Sequence, residues 1–297
     1  MIVSCGEALV DLVPHPVPGG GPMNVAIAVA RLGGPSAFVG CVSTDDYGIQ
    51  IIDHLAANGV DISACERSGA PTARAIVEHT PKLRFRFEGS NTADTKLSTL
   101  DLAALGPPPH ILHGGTLGLF RGLTAQTLAA TVEAHDGLVS LDPNIRPQII
   151  DDRSQWEHFH RRWLRHTDIY KASDEDLAWI WPDRSTDACV EGLLESGVQV
   201  VVVTRGADGL SIVTRSGQVH APAPAVDVLD TVGAGDTIVG AVLVSLWEWG
   251  IGADRGVELS TLEAGQWQTI AERAASAAAL TCSRAGADVP HRDELDW

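Results

Sequence analysis

Basic residues are in short supply: 21 Lys+Arg face 38 Asp+Glu, for a net charge of −17 at pH 7. Such a balance repels phosphate backbones and anionic headgroups, which argues against nucleic acid or a membrane surface as the main partner. Aromatic residues reach only 5%. The 8 Trp, including the pairs Trp179/Trp181 and Trp247/Trp249, therefore read as core and rim residues rather than base-stacking platforms. The 5 cysteines (Cys5, Cys41, Cys65, Cys189, Cys282) are odd in number and far apart, and no C-x-x-C is present. Neither a disulfide framework nor a zinc site is suggested. The 11 His are scattered, and neither His110/His113 nor His158/His160 has a third ligand at a fixed spacing. No apolar run approaches the ~20 residues of a membrane helix, and the first residues lack the basic start of a signal peptide. A soluble, reduced, cytoplasmic protein is the expectation. Walker-type G-x-x-x-x-G-K-[ST] and G-x-S-x-G motifs are both missing.

What is present suits a large core. Hydrophobic residues make up 44% of 297 residues, which excludes a disordered chain and fits one large α/β domain with at most a small appendage. Short apolar runs alternate with helical patterns, as in repeated βα units around a mostly parallel sheet. Strands are predicted at 2–5, 8–13, 36–42, 111–113, 138–142, 169–172 and 198–204. Helices are predicted at 23–32, 46–58, 123–135, 154–166, 174–180, 188–196, 234–249 and 266–281, with a hairpin over 210–220. Over 83–88 the period changes to two: Leu83, Phe85 and Phe87 alternate with Arg84, Arg86 and Glu88. Together with 73–79 this predicts a β excursion outside the main sheet. The expected division is a main α/β domain of 1–70 and 93–297, with a small lid of 71–92.

The sharpest chemical signal is the run Asp230, Thr231, Val232, Gly233, Ala234, Gly235, Asp236, which opens a helix carrying Ile238, Ala241, Val242, Leu246 and Trp249 on one stripe. The glycines let the backbone turn sharply and approach a ligand. N–H groups of Gly233, Ala234 and Gly235, with the helix dipole, make an anion site. A carboxylate beside it is out of place unless Asp236 takes a proton from a hydroxyl that attacks a phosphate held there. Taken alone, the same pattern also reads as an Asp capping a helix. A second signal is Gly19, Gly20, Gly21, Pro22, Met23, Asn24 running into a helix; with Asp11 it offers donors and acceptors for several hydroxyls of a polyol. Thr204, Arg205, Gly206 and Gly209 end a buried strand, where open α/β sheets bind ligands. Asp142, Pro143, Asn144, Ile145 and Arg146 end another, and Arg146 can pair with phosphate or carboxylate.

These runs in this order, with the opening Gly6, Glu7, Ala8, Leu9, Val10, Asp11, resemble the ribokinase-like (PfkB) carbohydrate kinases and look most like the fructokinase branch. The resemblance extends from the first strand to about Pro290. It implies a three-layer α/β/α fold with a mostly parallel sheet and a β lid, and transfer of the ATP γ-phosphoryl group to a sugar hydroxyl. By position it implies Asp236 as base; Gly233, Ala234 and Gly235 as anion hole; and Asp11, Gly20, Gly21, Asn24, Arg146 and Arg86 around the sugar. Thr204, Arg205, Gly206, Gly209 and Ser173 would serve the nucleotide. Asp176 or its neighbour Glu175 would help hold Mg²⁺ through water, and Asp230 and Val232 a monovalent cation such as K⁺. Fructose is the favoured acceptor, with a 2-keto-3-deoxygluconate-type sugar acid, a nucleoside, or a non-catalytic sugar- or nucleotide-binding role as the alternatives. Only seven residues separate Asp11 from Gly19 where the family usually has a longer insert, so the lid is expected to be reduced. A homodimer fits the resemblance, but a short lid argues against a contact through the lid.

Overall fold

The computed structural model describes residues 1–13, 15–78, 84–107, 110–252 and 259–297. In chain order the elements are β1 (Ile2–Cys5), β2 (Leu9–Val13), β3 (His15–Gly19), α1 (Gly21–Arg31), β4 (Ser36–Val39), β5 (Cys41–Ser43), α2 (Asp46–Ala57), β6 (Glu66–Ser68), β7 (Arg74–Glu78) and β8 (Arg84–Glu88). They continue with β9 (Ile111–Gly115), α3 (Gly122–Ala134), β10 (Val139–Asp142), α4 (Arg153–Leu164), β11 (Ile169–Ser173), α5 (Asp174–Ile180), α6 (Thr186–Glu195) and β12 (Val200–Thr204). The last are β13 (Leu210–Thr214), β14 (Gly217–Ala221), α7 (Ala234–Glu248) and α8 (Ala264–Cys282).

Eight strands form the central sheet in the order β14-β13-β12-β11-β10-β9-β1-β4. Pairing is parallel from β4 to β12, and the hairpin β13–β14 closes one edge antiparallel. Alternation sorts the side chains to two faces. Val200 and Val202 of β12 pack with Val29 of α1, Val242 and Leu246 of α7 and Ile270 of α8. Val201 and Val203 pack with Leu128 of α3, Trp156 and Trp163 of α4, Leu177 of α5 and Leu193 of α6. Both faces are covered, so a strand such as β12 reads as an unbroken apolar run. The result is the expected three-layer α/β/α arrangement. α1 and α7 cross closely: a Cβ on Gly240 would lie 2.6 Å from the Ala28 Cβ, so glycine there lets the two helices touch.

A second sheet of four strands, β3-β2-β7-β8, stands apart from the first. β7 and β8 are the predicted excursion, of which the ends His79 and Leu83 lie outside the described residues. The division that begins the lid at residue 71 omits half of this sheet, because β2 pairs antiparallel with β3 and parallel with β7. Pro16 and Pro18 make β3 look like a turn in sequence. It is an edge strand, where a residue without an N–H is tolerated.

The parallel strands all end on one side of the sheet. β1 leads to Glu7, β9 to Thr116, β10 to Asn144 and Arg146, β11 to Glu175, and β12 to the loop after Thr204. The lid strand β2 rises from the same edge, so the carboxyl ends of the strands and the lid enclose one cleft.

Candidate active site

The site is assembled around the first turn of α7. Asp230 braces the turn: its carboxylate accepts N–H bonds from Val232 (3.1 Å) and Gly286 (2.9 Å). Gly233 caps the helix with φ 79°, and a Cβ there would meet the Ala287 Cβ at 2.6 Å, so only glycine fits. No side chain caps α7, which leaves its leading N–H groups and positive dipole end for an anion.

Asp236, in that turn, is 8% exposed and accepts a 2.8 Å bond from the Asn24 side-chain amide. The two residues are 212 positions apart in the chain, and the α1–α7 crossing brings them together. Burial pushes the Asp236 carboxyl up to about 6, and Asp142 adds to this against Asn24, Lys171 and Arg146. Asp11 on β2 is likewise raised by burial to about 6, against the pull of Arg146. The glycine run beside it is required by close contact. Added Cβ atoms would meet an Asp11 carboxylate oxygen at 2.4 Å (Gly19), the Glu7 carbonyl at 2.7 Å (Gly20, φ 123°) and the Thr116 hydroxyl at 2.5 Å (Gly21).

Asp11, Gly20, Gly21, Asn24, Arg146, Gly233, Gly235 and Asp236 line one cavity of about 470 Å³. Seven of the eight were singled out together in the sequence as the polyol grip and the anion turn, and Arg146 as a separate strand end. Arg86 is in β8 by its backbone, and its side chain lies outside the described residues. A second cavity of about 610 Å³ on the other side of the turn is largely apolar, with Thr204, Gly206, Gly209, Val226, Ile238 and Ala279 in its wall. The cavities share Thr231 and Gly235, and a recess holding Asn144, Arg146, Lys171, Ser173, Glu175 and Thr204 adjoins both. Ala234 lines the apolar side.

Two expected residues are placed differently. Arg205 turns away from the apolar cavity: it donates to the Ser211 hydroxyl at 2.9 Å and lines a separate surface recess with Arg215. Asp176 lines the recess, but its carboxylate is already held by structural bonds. One carboxylate oxygen accepts the Ile145 N–H (2.8 Å), and the other accepts the Ser173 N–H (2.9 Å) and hydroxyl (2.7 Å), as the capping box of α5. Glu175, next to it, lines both the acceptor cavity and the recess.

The sequence reading missed several lining residues. Glu7 is buried, accepts the Gly118 N–H at 2.8 Å, and is pushed up to about 8 by burial. Thr116 (φ 46°) and Asn144 (φ 40°) hold left-handed backbone and are linked by a 3.3 Å side-chain bond. Such strain persists where surrounding structure enforces it, often at working sites. Lys171 is buried and paired with Asp142 at 2.7 Å. Burial pulls its ammonium down, but Asp142, Asp176 and Asp236 raise it overall, so it stays charged. A lysine in the apolar strand β11 becomes legible only through the β10–β11 register, which places it beside Asp142.

The pfkB family carbohydrate kinase profile matches residues 14–294. A fructokinase of Rhizobium leguminosarum bv. trifolii is 37% identical over 259 residues, covering 83% of this chain and 79% of its own. The crystal structure of fructokinase with bound ATP from Xylella fastidiosa superposes with a TM-score of 0.87 at 27% identity, over 96% of this chain and 93% of that one. A Vibrio cholerae fructokinase double mutant, solved in a fructose, ADP and potassium ion bound form, gives a TM-score of 0.82 at 26% identity, over 96% and 93% of the two chains. The profile covers nearly the whole chain, and the glycine turn, the Asn24–Asp236 contact and lid strands β3, β7 and β8 fall within it. The chain belongs to the pfkB family of carbohydrate kinases.

Proposed function

We propose that this kinase transfers the γ-phosphoryl group of ATP to the primary C6 hydroxyl of fructose. The observation that carries the reading is the 2.8 Å bond from Asn24 to Asp236, which joins the polyol-binding side of the cleft to the base beside the anion site. Asp11, Asn24 and the N–H groups of the Gly20–Gly21 turn bind and orient the sugar in the 470 Å³ cavity. Nucleotide base and ribose fill the 610 Å³ cavity, with the phosphates directed across Gly235. As the acceptor oxygen forms its bond to the γ-phosphorus, the bond from phosphorus to the bridging oxygen breaks, and its electron pair leaves with ADP. The hydroxyl proton passes to Asp236, and the N–H groups of Gly233, Ala234 and Gly235 meet the charge on the transferring group.

When bound, Mg²⁺ would supply charge neutralisation on the phosphates. Among the described residues no group of three or more His, Cys, Asp or Glu is placed to hold a metal ion, which suits a hard cation carried mostly by phosphate and water. Glu175, open to the recess, is the residue to orient such water, and Asp176, whose carboxylate is occupied, sets the strand end instead. Asp230 and Val232, in the brace behind the anion site, are where K⁺ would help hold the turn. One Arg bears on the choice of sugar. Arg146 lines the acceptor cavity and could pair with a carboxylate, so a 2-keto-3-deoxygluconate-type acid is the second reading. Coupled ADP-release assays with fructose, 2-keto-3-deoxygluconate and adenosine test the assignment. We expect the highest kcat/KM with fructose; preference for the acid or the nucleoside by tenfold would overturn it.

A further inference from the structure

Lys171 has no part in the mechanism above, yet it is 6% exposed and lines both the acceptor cavity and the recess beside it. An ammonium buried at this depth is costly to hold unless its donors are used. It has three, and one goes to Asp142 at 2.7 Å. The next fixed point is Gly235: a Cβ built there would lie 2.9 Å from the Lys171 Nζ. The third residue of the anion turn therefore has no side chain, and the ammonium stands directly alongside the backbone donors of that turn. The other two nearby carboxylates do not take their hydrogen bonds from Lys171. Asp176 is held by Ile145 and Ser173, and Asp236 by Asn24.

We propose that Lys171 is a catalytic residue, its ammonium sharing the charge of the transferring phosphoryl group with the N–H groups that open α7, and that Asp142 is the positioning residue that aims it. This rests on the kinase reading of the site given above. Lys171 keeps its proton throughout: the new bond joins the acceptor oxygen to phosphorus, the bond to the bridging oxygen breaks toward ADP, and the acceptor proton goes to Asp236. The competing role is that of a counter-ion which only balances the charge of Asp142, Asp176 and Asp236, with Arg146 as the other cation lining the same cleft.

The test uses the full chain carrying Lys171→Met, Lys171→Arg, Asp142→Asn or Asp236→Asn. It measures steady-state turnover from pH 5.5 to 9 and calorimetric affinity for ADP and for a non-hydrolysable ATP analogue. For Lys171→Met we expect plateau kcat to fall about 100-fold or more, the scale of losing one stabilising donor at a transition state. The sugar KM should stay near normal. Affinity for the ATP analogue should fall about tenfold while that for ADP is unchanged, because the lost contact is to the terminal group. Lys171→Arg should recover part of the analogue affinity. Asp142→Asn, which leaves the charge but not its anchor, should lower plateau kcat without changing ADP affinity. A Lys171→Met enzyme with normal plateau kcat and only a raised acid limb overturns the proposal and leaves Lys171 a counter-ion. If that variant does not fold, a normal plateau kcat in Asp142→Asn overturns it instead. Near-normal turnover in Asp236→Asn would overturn the kinase mechanism itself, whatever Lys171 does.

Discussion

Replacing Asp236 with Asn should abolish turnover and, at neutral pH, make the protein harder to unfold. The carboxyl rises from an ordinary 3.8 to about 6 because it is buried at the start of α7. A raised carboxyl means that ionisation costs more in the folded chain than in the unfolded one. At about 1.4 kcal/mol per pKa unit, a shift of about two units corresponds to roughly 3 kcal/mol of stability given up above pH 6. The sign is fixed by proton counting. Between 3.8 and 6 the folded state binds the proton and the unfolded state has lost it. The favourable contribution is therefore complete below pH 3.8 and disappears as pH rises through 6. Asn is neutral, keeps an oxygen to accept from Asn24, and escapes the cost. Thermal melts of wild type and Asp236→Asn across pH 4 to 8 should show the variant higher by several degrees at pH 7.5, at the roughly 2–4 °C per kcal/mol typical of larger domains. The gap should close as pH falls toward 4. A variant that melts at or below wild type at pH 7.5, or a gap that ignores pH, would refute the claim that a catalytic carboxylate is held there at the expense of stability.

In the proposed grip the Asp11 carboxylate accepts from the sugar hydroxyls in its ionised form, and burial raises it to about 6, so kcat/KM for the sugar should drop as pH falls below 6. Asp11→Asn should raise the sugar KM by about tenfold or more, the loss of a charge-assisted contact, with the ATP KM within about twofold in steady-state assays. Ser173→Ala removes the α5 cap and the anchor for Asp176, and should lower stability by about 1 kcal/mol in urea titration. Arg205→Ala should leave the ATP KM within about twofold, because its guanidinium donates to Ser211 on another face; a large rise would return it to the nucleotide site.

The parts of the site that were legible in sequence are those where backbone conformation is demanded locally. Gly233 at φ 79° and Gly20 at φ 123° leave a mark because few other residues adopt such angles, and the residues next to them, Asp236 and Asn24, inherit that visibility. The core strands were legible for a similar reason: burial on both faces writes an apolar run such as Val200 to Val203. Contacts made by register leave no mark. Lys171 meets Asp142 only because β10 and β11 lie side by side, and Thr116 meets Asn144 only because β9 and β10 do. Asp176 carries a duty the motif alone did not display, since an Asp three residues after a Ser also serves a helix cap. The first lid hairpin was hidden by Pro16 and Pro18, which edge strands tolerate and interior strands do not.

The arrangement also explains why the acidic residues of the cleft are buried rather than open to water. A carboxylate with an ordinary pKa would be a weak base for a hydroxyl proton, and one exposed to water would attract hydration that competes with the acceptor sugar. Sinking Asp236 behind the α1–α7 crossing raises it to about 6 and still leaves it ionised at neutral pH. The same burial drives Glu7 further up, to about 8, although backbone N–H groups including that of Gly118 oppose it, because no cation is among the groups acting on it and Asp94 adds to the rise. Asp236 sits below Glu7 because Asn24, Lys171 and Arg146 oppose the burial. The two cations that line the cleft, Lys171 and Arg146, therefore have an effect on the base itself. Each lowers the base, and removing either Lys171 or Arg146 should move the acid limb of the rate profile toward higher pH, while removing Asn24 should do so and disorder the sugar as well.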